Sequence, residues 1–336
     1  MGEFDLITHY FKTQQNPQRP DVALSIGDDC AILNCPPSQQ IAITTDTMVE
    51  GTHFLPTISP KDLAYKALAT NLSDLAAMGA RPAWVSLALT LPKINQDWLK
   101  DFSEAFFEVL TKKNVTLIGG DTTHGKLHCI SITAQGLLPK GRALRRDKAQ
   151  IGDYIFVSGT LGDSAAGLAL LLGKEITNLK NHDAPIFAEN YVISRHLRPT
   201  PRIALGQYLL DHNFSYCALD ISDGLLADLG HILERSHCHA ELDIEKLPYS
   251  EELARLFSQN DCEKLALTGG EDYELCFTVP ATKIKDFQKA IASSDLPTQV
   301  TCIGRITEGK ENKITLQRNG KVVDLSLTKG FDHFAK

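Results

Sequence analysis

Several things are missing from this sequence, and each absence removes a class of function. No apolar stretch approaches the roughly 20 residues that a membrane-spanning helix needs. There is no basic surplus. The net charge is −7, which argues against a broad nucleic-acid-binding face. None of the 8 cysteines forms a CxxC pair, and Cys129, Cys217 and Cys276 sit inside apolar runs. They read as free thiols of a cytoplasmic protein. The opening "MGEFDLITHYFK" carries acids early and lacks an apolar core followed by small residues, so a secretory signal is not expected. Gly2 lacks the Ser/Thr context of a myristoylation site. "HCH" at 237–239, with His231 nearby, fits no common zinc spacing and reads as surface or packing. No short repeat and no low-complexity tract occurs.

What is present is a chain of 336 residues, 43% hydrophobic and 22% charged, which suits a globular protein of two domains. Strand-like runs fall at 22–27, 40–46, 84–91, 115–121 and 127–138. Helix-like runs fall at 59–79, opened by Ser59 and Pro60 and closed by Gly79, and at 95–114. Residues 139–153, "PKGRALRRDKAQIGD", are basic, polar and punctuated by glycine. They divide a domain 1–148 from a domain 149–336, where strand- and helix-like runs alternate again. Strands mixed with long helices predict an α/β class with two domains.

Carboxylates recur at the ends of these apolar segments. "SIGDDCAIL" places Asp28 and Asp29 beside Gly27, and "AITTDTMVEGTHF" ends a strand in Thr44, Thr45 and Asp46, with His53 following. "TNLSDLAAMG" carries Asp74, "LIGGDTTHG" Asp121, "LDISDGLLADL" Asp220, Asp223 and Asp228, and "LTGGEDYEL" Glu271 and Asp272. Any one of these could be turn or N-cap chemistry. Asp74 is different, because it lies in mid-helix near the edge of the apolar face. A carboxylate there is costly unless paired or bound to a cation. Clustered carboxylate and hydroxyl oxygens without cysteine suit a hard cation such as Mg²⁺, which most often serves a nucleotide's phosphates.

The familiar phosphate loops are absent. "GDTTHGKL" (120–127) misses the P-loop hydroxyl, and a strand-like rather than helical segment follows it. No protein-kinase set and no GxGxxG opening a βαβ unit is found. "GRALRR" supplies Arg142, Arg145 and Arg146 for phosphate oxygens, or a solvated linker.

Taken in order, "SIGDDCAIL", "TTDTMVEGTHF", "ATNLSDLAAMGARPAW", "LIGGDTTHG", "GRALRR", "DISDGLLADL", "GGEDYEL" and "GFDHF" resemble the thiamine-monophosphate kinases across nearly the whole chain. The resemblance implies an aminoimidazole-ribonucleotide-synthetase-like fold, with a mixed sheet flanked by helices in each domain. Domain 1–148 would bind ATP and Mg²⁺ and dimerise, and 149–336 would complete the substrate site. It implies the last step of thiamine diphosphate synthesis: direct in-line transfer from ATP to thiamine monophosphate with several Mg²⁺ ions, in a cytoplasmic homodimer. The implied metal set is Asp29, Thr44, Thr45, Asp46, Asp74, Asp121, Asp220 and Asp223, with Asp46, Asp121 and Asp220 as its catalytic core. Gly120, Asp121, Arg146 and Ser222 are the implied nucleotide contacts, and His53, Glu271 and Phe331 the implied substrate contacts. The chain departs from the family pattern at His124, where Arg is usual. A sister enzyme such as selenophosphate synthetase would carry a reactive Cys before "SIGDD", and none is there. A non-catalytic nucleotide-binding relative would be expected to lose His53, Asp121 or Glu271, and all three are present.

Overall fold

Strict alternation along Gln39–Val49 makes it a strand with one packed and one open face, and it forms the edge of the first sheet. In the computed structural model, which describes residues 2–12, 16–173, 186–309 and 312–324, the chain forms two compact units. One comprises Met1–Leu75 and Ala80–Arg142, and the other Ala76–Gly79 and Ala143–Lys336.

The first unit opens with helix α1 (Glu3–Ile7), and strands β1 (Val22–Leu24) and β2 (Ile32–Leu33) form a small antiparallel pair. Its main sheet combines β3 (Gln39–Val49), β4 (Arg81–Leu91), β5 (Thr116–His124) and β6 (Cys129–Pro139) in the order β3-β6-β4-β5. Only β4 and β5 run parallel, so the sheet is mixed as expected. Helix α2 (Pro60–Ala77) is buried along most of its length, with Leu63, Leu68, Leu72 and Leu75 almost wholly inaccessible. Helix α3 (Gln96–Lys113) is set by its ends. Asn95 accepts from the backbone N–H groups of Asp97 and Trp98, and Asn114 closes it in the left-handed conformation.

The second unit contains β7 (Tyr154–Ser158), α4 (Asp163–Leu171), α5 (Ile186–Leu197), α6 (Ile203–Asp211), β8 (Cys217–Asp220), α7 (Leu225–Ser236), β9 (His239–Asp243), α8 (Glu251–Leu256), α9 (Gln259–Thr268), β10 (Leu275–Val279), α10 (Ile284–Ala292), β11 (Val300–Thr307), β12 (Ile314–Arg318) and β13 (Lys321–Val322). Its sheet runs β13-β12-β9-β11-β7-β10-β8. Only β12 with β9 is parallel, so this sheet is mixed as well. β8 and β10 are buried along their whole length. Their few polar members are buried with them: Asp220 at the end of β8 and Thr278 within β10. Among the described residues no helix is long and apolar enough to cross a membrane.

Candidate active site

In the first unit, pleating sorts the predicted residues onto two faces. Thr44 and Asp46 leave β3 on the side of α2. Thr44 Oγ1 donates to Asp74 Oδ2, and the Asp46 backbone N–H donates to Asn71 Oδ1 at 3.2 Å. Asn71, at the centre of the apolar face of α2, therefore anchors the strand, and Asp74 sits beside Asp46. Burial pushes the Asp46 carboxyl up to about 6, and the charge of Asp74 adds to that push; a hydrogen bond from Thr70 opposes both. Two carboxylates are thus brought close together in a half-buried place. Thr45 lies on the other face, with its hydroxyl 2.9 Å from that of Thr133, as Thr47 is 2.7 Å from Ser131. Register carries this face across the sheet from Thr47 through Ser131 and Ala88 to Asp121. Asp121 and Asp46 therefore project from opposite faces.

Asp121 instead shares a cavity of about 610 Å³ with Asp28, Asp29, Lys12, Gly119 and Gly120. Gly120 is needed for close strand approach. A Cβ there would lie 1.8 Å from the Leu87 carbonyl oxygen. His53 stands in the turn after β3. Its Nδ1 accepts from the Val49 backbone N–H at 3.0 Å, so the imidazole carries its proton on Nε2. The same turn is tied down by Glu50, whose Oε2 is 2.6 Å from His128 Nδ1. That hydrogen bond holds the Glu50 carboxyl below the usual range. His124 ends β5, exposed.

In the second unit, Asp220 closes β8 and is buried. The following loop is organised by Asp228, whose Oδ2 accepts from the backbone N–H groups of Ser222, Asp223 and Gly224 at 3.0, 3.0 and 3.1 Å. These amides are occupied, so Ser222 can offer a ligand only its hydroxyl and carbonyl. Burial pushes the Asp228 carboxyl up to about 7, against the pull of those N–H groups, and Arg146 also favours its charged form. Arg146 is thereby placed near the 222–228 segment. Its neighbour Arg145 is committed to Asp147 through two bonds of 2.8 Å. The Glu271 backbone N–H donates to the Ser222 carbonyl at 2.7 Å, which ties the "GGEDYEL" and "DISDG" loops together.

That motif's other acids are structural. Asp272, wholly buried, accepts from Gly162 N and Ser164 N at 2.7 and 3.2 Å, and burial pushes it up to about 8. Glu274, also wholly buried, accepts from Ser158, Arg195 and Arg202. Sequence reasoning missed Asp228, Arg195 and Arg202 as organisers. The signals were an acid in the first turn of a helix after "SDG" and the arginines that begin and end "RHLRPTPR". The "HCH" side chains diverge. His237 is exposed at the left-handed end of α7, Cys238 is in the core and His239 lies on β9. Among the described residues no three His, Cys, Asp or Glu side chains converge closely enough to cage a metal. Phe331 and "GFDHF" lie outside the described residues.

Family profiles described as AIR synthase related protein, N-terminal domain and C-terminal domain, match residues 27–138 and 150–317. A protein named thiamine-monophosphate kinase from Haemophilus influenzae is 53% identical over 336 residues, covering 99% of this chain and 98% of that one. The chain belongs to the thiamine-monophosphate kinase family. The solved thiamine-monophosphate kinase of Stenotrophomonas maltophilia is 44% identical, with a TM-score of 0.80 over 91% of this chain and 93% of that one. A structure described as AaThiL complexed with AMPPCP and TMP is 33% identical, with a TM-score of 0.73 over 98% of this chain and 96% of that one.

Proposed function

We propose that this chain transfers the γ-phosphoryl group of ATP to thiamine monophosphate, giving ADP and thiamine diphosphate, with Mg²⁺ as the resident cation. The observation that carries this reading is the Asp46–Asp74 pair, in a chain whose relatives are named for the reaction. The fold brings two carboxylates and the Thr44 hydroxyl together, and burial pushes Asp46 up to about 6, with the charge of Asp74 adding to it. Their ligand chemistry, carboxylate and Thr44 hydroxyl oxygen, is that of a hard cation. One or two carboxylates plus phosphates and water suffice for Mg²⁺, so the lack of a three-carboxylate cage among the described residues is compatible with it.

Bound Mg²⁺ supplies neutralisation of phosphate charge, which matters because two unit charges 4 Å apart repel by roughly 4 kcal/mol at an effective dielectric near 20. Thr44, Asp46 and Asp74 would hold it in the first unit. On the opposite face of that sheet Asp29 and Asp121 would hold a separate ion at the cavity, Thr45 would offer its backbone, and within the second unit Asp220 and Asp223 would hold a further one. Gly120 lets the β5 backbone lie close to β4, which places Asp121 at the cavity wall. Arg146 and the Ser222 hydroxyl serve the nucleotide. His53, protonated on Nε2, can donate there to a substrate phosphate oxygen. The Glu271 carboxylate complements the cationic ring of thiamine. The attacking phosphate oxygen is already ionised, so no side chain need act as a base. Phe331 remains the proposed aromatic contact to the substrate rings.

The N-terminal domain, 1–148, is proposed to dimerise through its open sheet face, and the domain 149–336 to carry the substrate loops. Ile41 and Ile43, 40% and 66% exposed on β3, are apolar surface that a second copy would cover. None of the cysteines forms a disulfide, which supports a cytoplasmic setting.

The test is incubation of the purified protein with ATP and thiamine monophosphate, with the products resolved by chromatography. Thiamine diphosphate and ADP should appear in equal amounts, and only with Mg²⁺. ADP with free phosphate and no thiamine diphosphate would overturn the assignment.

A further inference from the structure

The loop Glu271–Glu274 is held in an unusual backbone. Glu271 and Tyr273 have φ of 65° and 52°, a left-handed conformation that side chains other than glycine adopt only when the surroundings impose it. Two consecutive residues of α5 grip the two ends of this loop. Arg195 Nη2 donates to Glu274 Oε1 at 2.7 Å, and His196 Nδ1 lies 3.4 Å from Glu271 Oε2. His196 is only 3% exposed, and its Nδ1 is also 3.1 Å from Ser164 Oγ, in the first turn of α4. A carboxylate oxygen facing a ring nitrogen is repelled by its lone pair unless that nitrogen bears a proton. A proton on Nδ1 faces the Glu271 carboxylate, with the Ser164 hydroxyl beside it.

We infer that His196 is a positioning residue for Glu271: its Nδ1–H, seated against Ser164, fixes the direction of the carboxylate that receives thiamine monophosphate. The inference builds on the substrate role proposed for Glu271. Arg195 anchors the loop's backbone course, and His196 aims its half-exposed acid. Without that donor the Glu271 side chain would sample several rotamers, and only some would meet the substrate.

Two amide variants separate this role from simple packing. The Asn amide nitrogen of His196→Asn can occupy the place of Nδ1, whereas the amide of His196→Gln reaches the place of Nε2. We expect H196Q to raise the KM for thiamine monophosphate about tenfold, with the KM for ATP within about twofold of wild type. H196N should stay within about threefold for both substrates. In a Glu271→Ala background, H196Q should add nothing further, because the residue it acts through is gone. The inference is overturned if H196Q leaves the thiamine monophosphate KM unchanged, if H196N is as damaging as H196Q, or if the H196Q effect persists in full without Glu271. Should H196Q fail to fold, the imidazole ¹⁵N spectrum of the wild type decides. Glu271→Ala must move the His196 Nδ1 resonance, and an unmoved resonance refutes the contact. Failure of the kinase assignment would look different, since the wild type itself would then form no thiamine diphosphate.

Discussion

Replacing Asp46 with Asn tests the electrostatics of the first unit most directly. In the metal-free protein burial, reinforced by Asp74, raises the Asp46 carboxyl from its ordinary 3.8 to about 6. A change of that size corresponds to about 3 kcal/mol, and partial solvent exposure makes this an upper bound. The sign follows from proton binding. The folded state holds the proton more tightly than the unfolded chain, so this group favours folding at pH below about 4 and loses that contribution as pH rises through about 6. Asn cannot ionise. Stripped of divalent cations with a chelator, the wild type should lose stability relative to D46N between pH 4 and pH 7, by up to about 3 kcal/mol, or several degrees in melting temperature. Added Mg²⁺ should raise the melting temperature of the wild type at pH 7 by more than that of D46N. Thermal melts of both proteins across that range, with and without Mg²⁺, are the assay. A wild type–D46N difference that stays constant with pH would refute the claim that the fold presses two carboxylates together. Loss of turnover alone would not test it.

Gly120→Ala would place a methyl group 1.8 Å from the Leu87 carbonyl oxygen, where neither backbone can yield without breaking the β4–β5 pairing. We expect destabilisation of about 3 kcal/mol or more, measured by thermal unfolding; an undisturbed melt would contradict the observed strand approach. Asp228→Ala removes the acceptor of three backbone N–H groups and should lower kcat/KM at least tenfold, whereas Asp228→Asn keeps an acceptor oxygen and should be milder. Equal effects would show that charge, rather than loop shape, is what Asp228 supplies. Arg202→Ala leaves the wholly buried Glu274 with one arginine fewer and should cost about 3 kcal/mol, read as a lowered melting temperature. An unchanged melting temperature would mean that Arg195 and Ser158 suffice.

Much of the fold was legible in the residues because the relevant forces are local. Period-two alternation marked β6, the run from Asn95 to Asn114 marked α3, and apolar runs marked β3, β8 and β10, although β3 proved open on the side of Ile41 and Ile43. Short elements such as β2, β13 and α8 left too little pattern to read. The acids and hydroxyls that interrupt apolar segments were also visible one by one, because placing charge beside a buried run is costly enough to stand out in a linear string.

What the string by itself determined was therefore the class of fold, the family and the inventory of candidate oxygen ligands. What only the tertiary structure decided was which of them meet. Asp46 and Asp121 look alike in sequence, yet strand register sends them to opposite faces of one sheet. Thr44 and Thr45 are adjacent, yet only Thr44 reaches Asp74. Glu271, Asp272 and Glu274 share one motif, yet two are sealed inside ion pairs and helix-end hydrogen bonds while one is left half-exposed beside His196. Side-chain direction depends on pairing partners far away in the chain, and those partners are set by packing the whole domain rather than by any local run of residues.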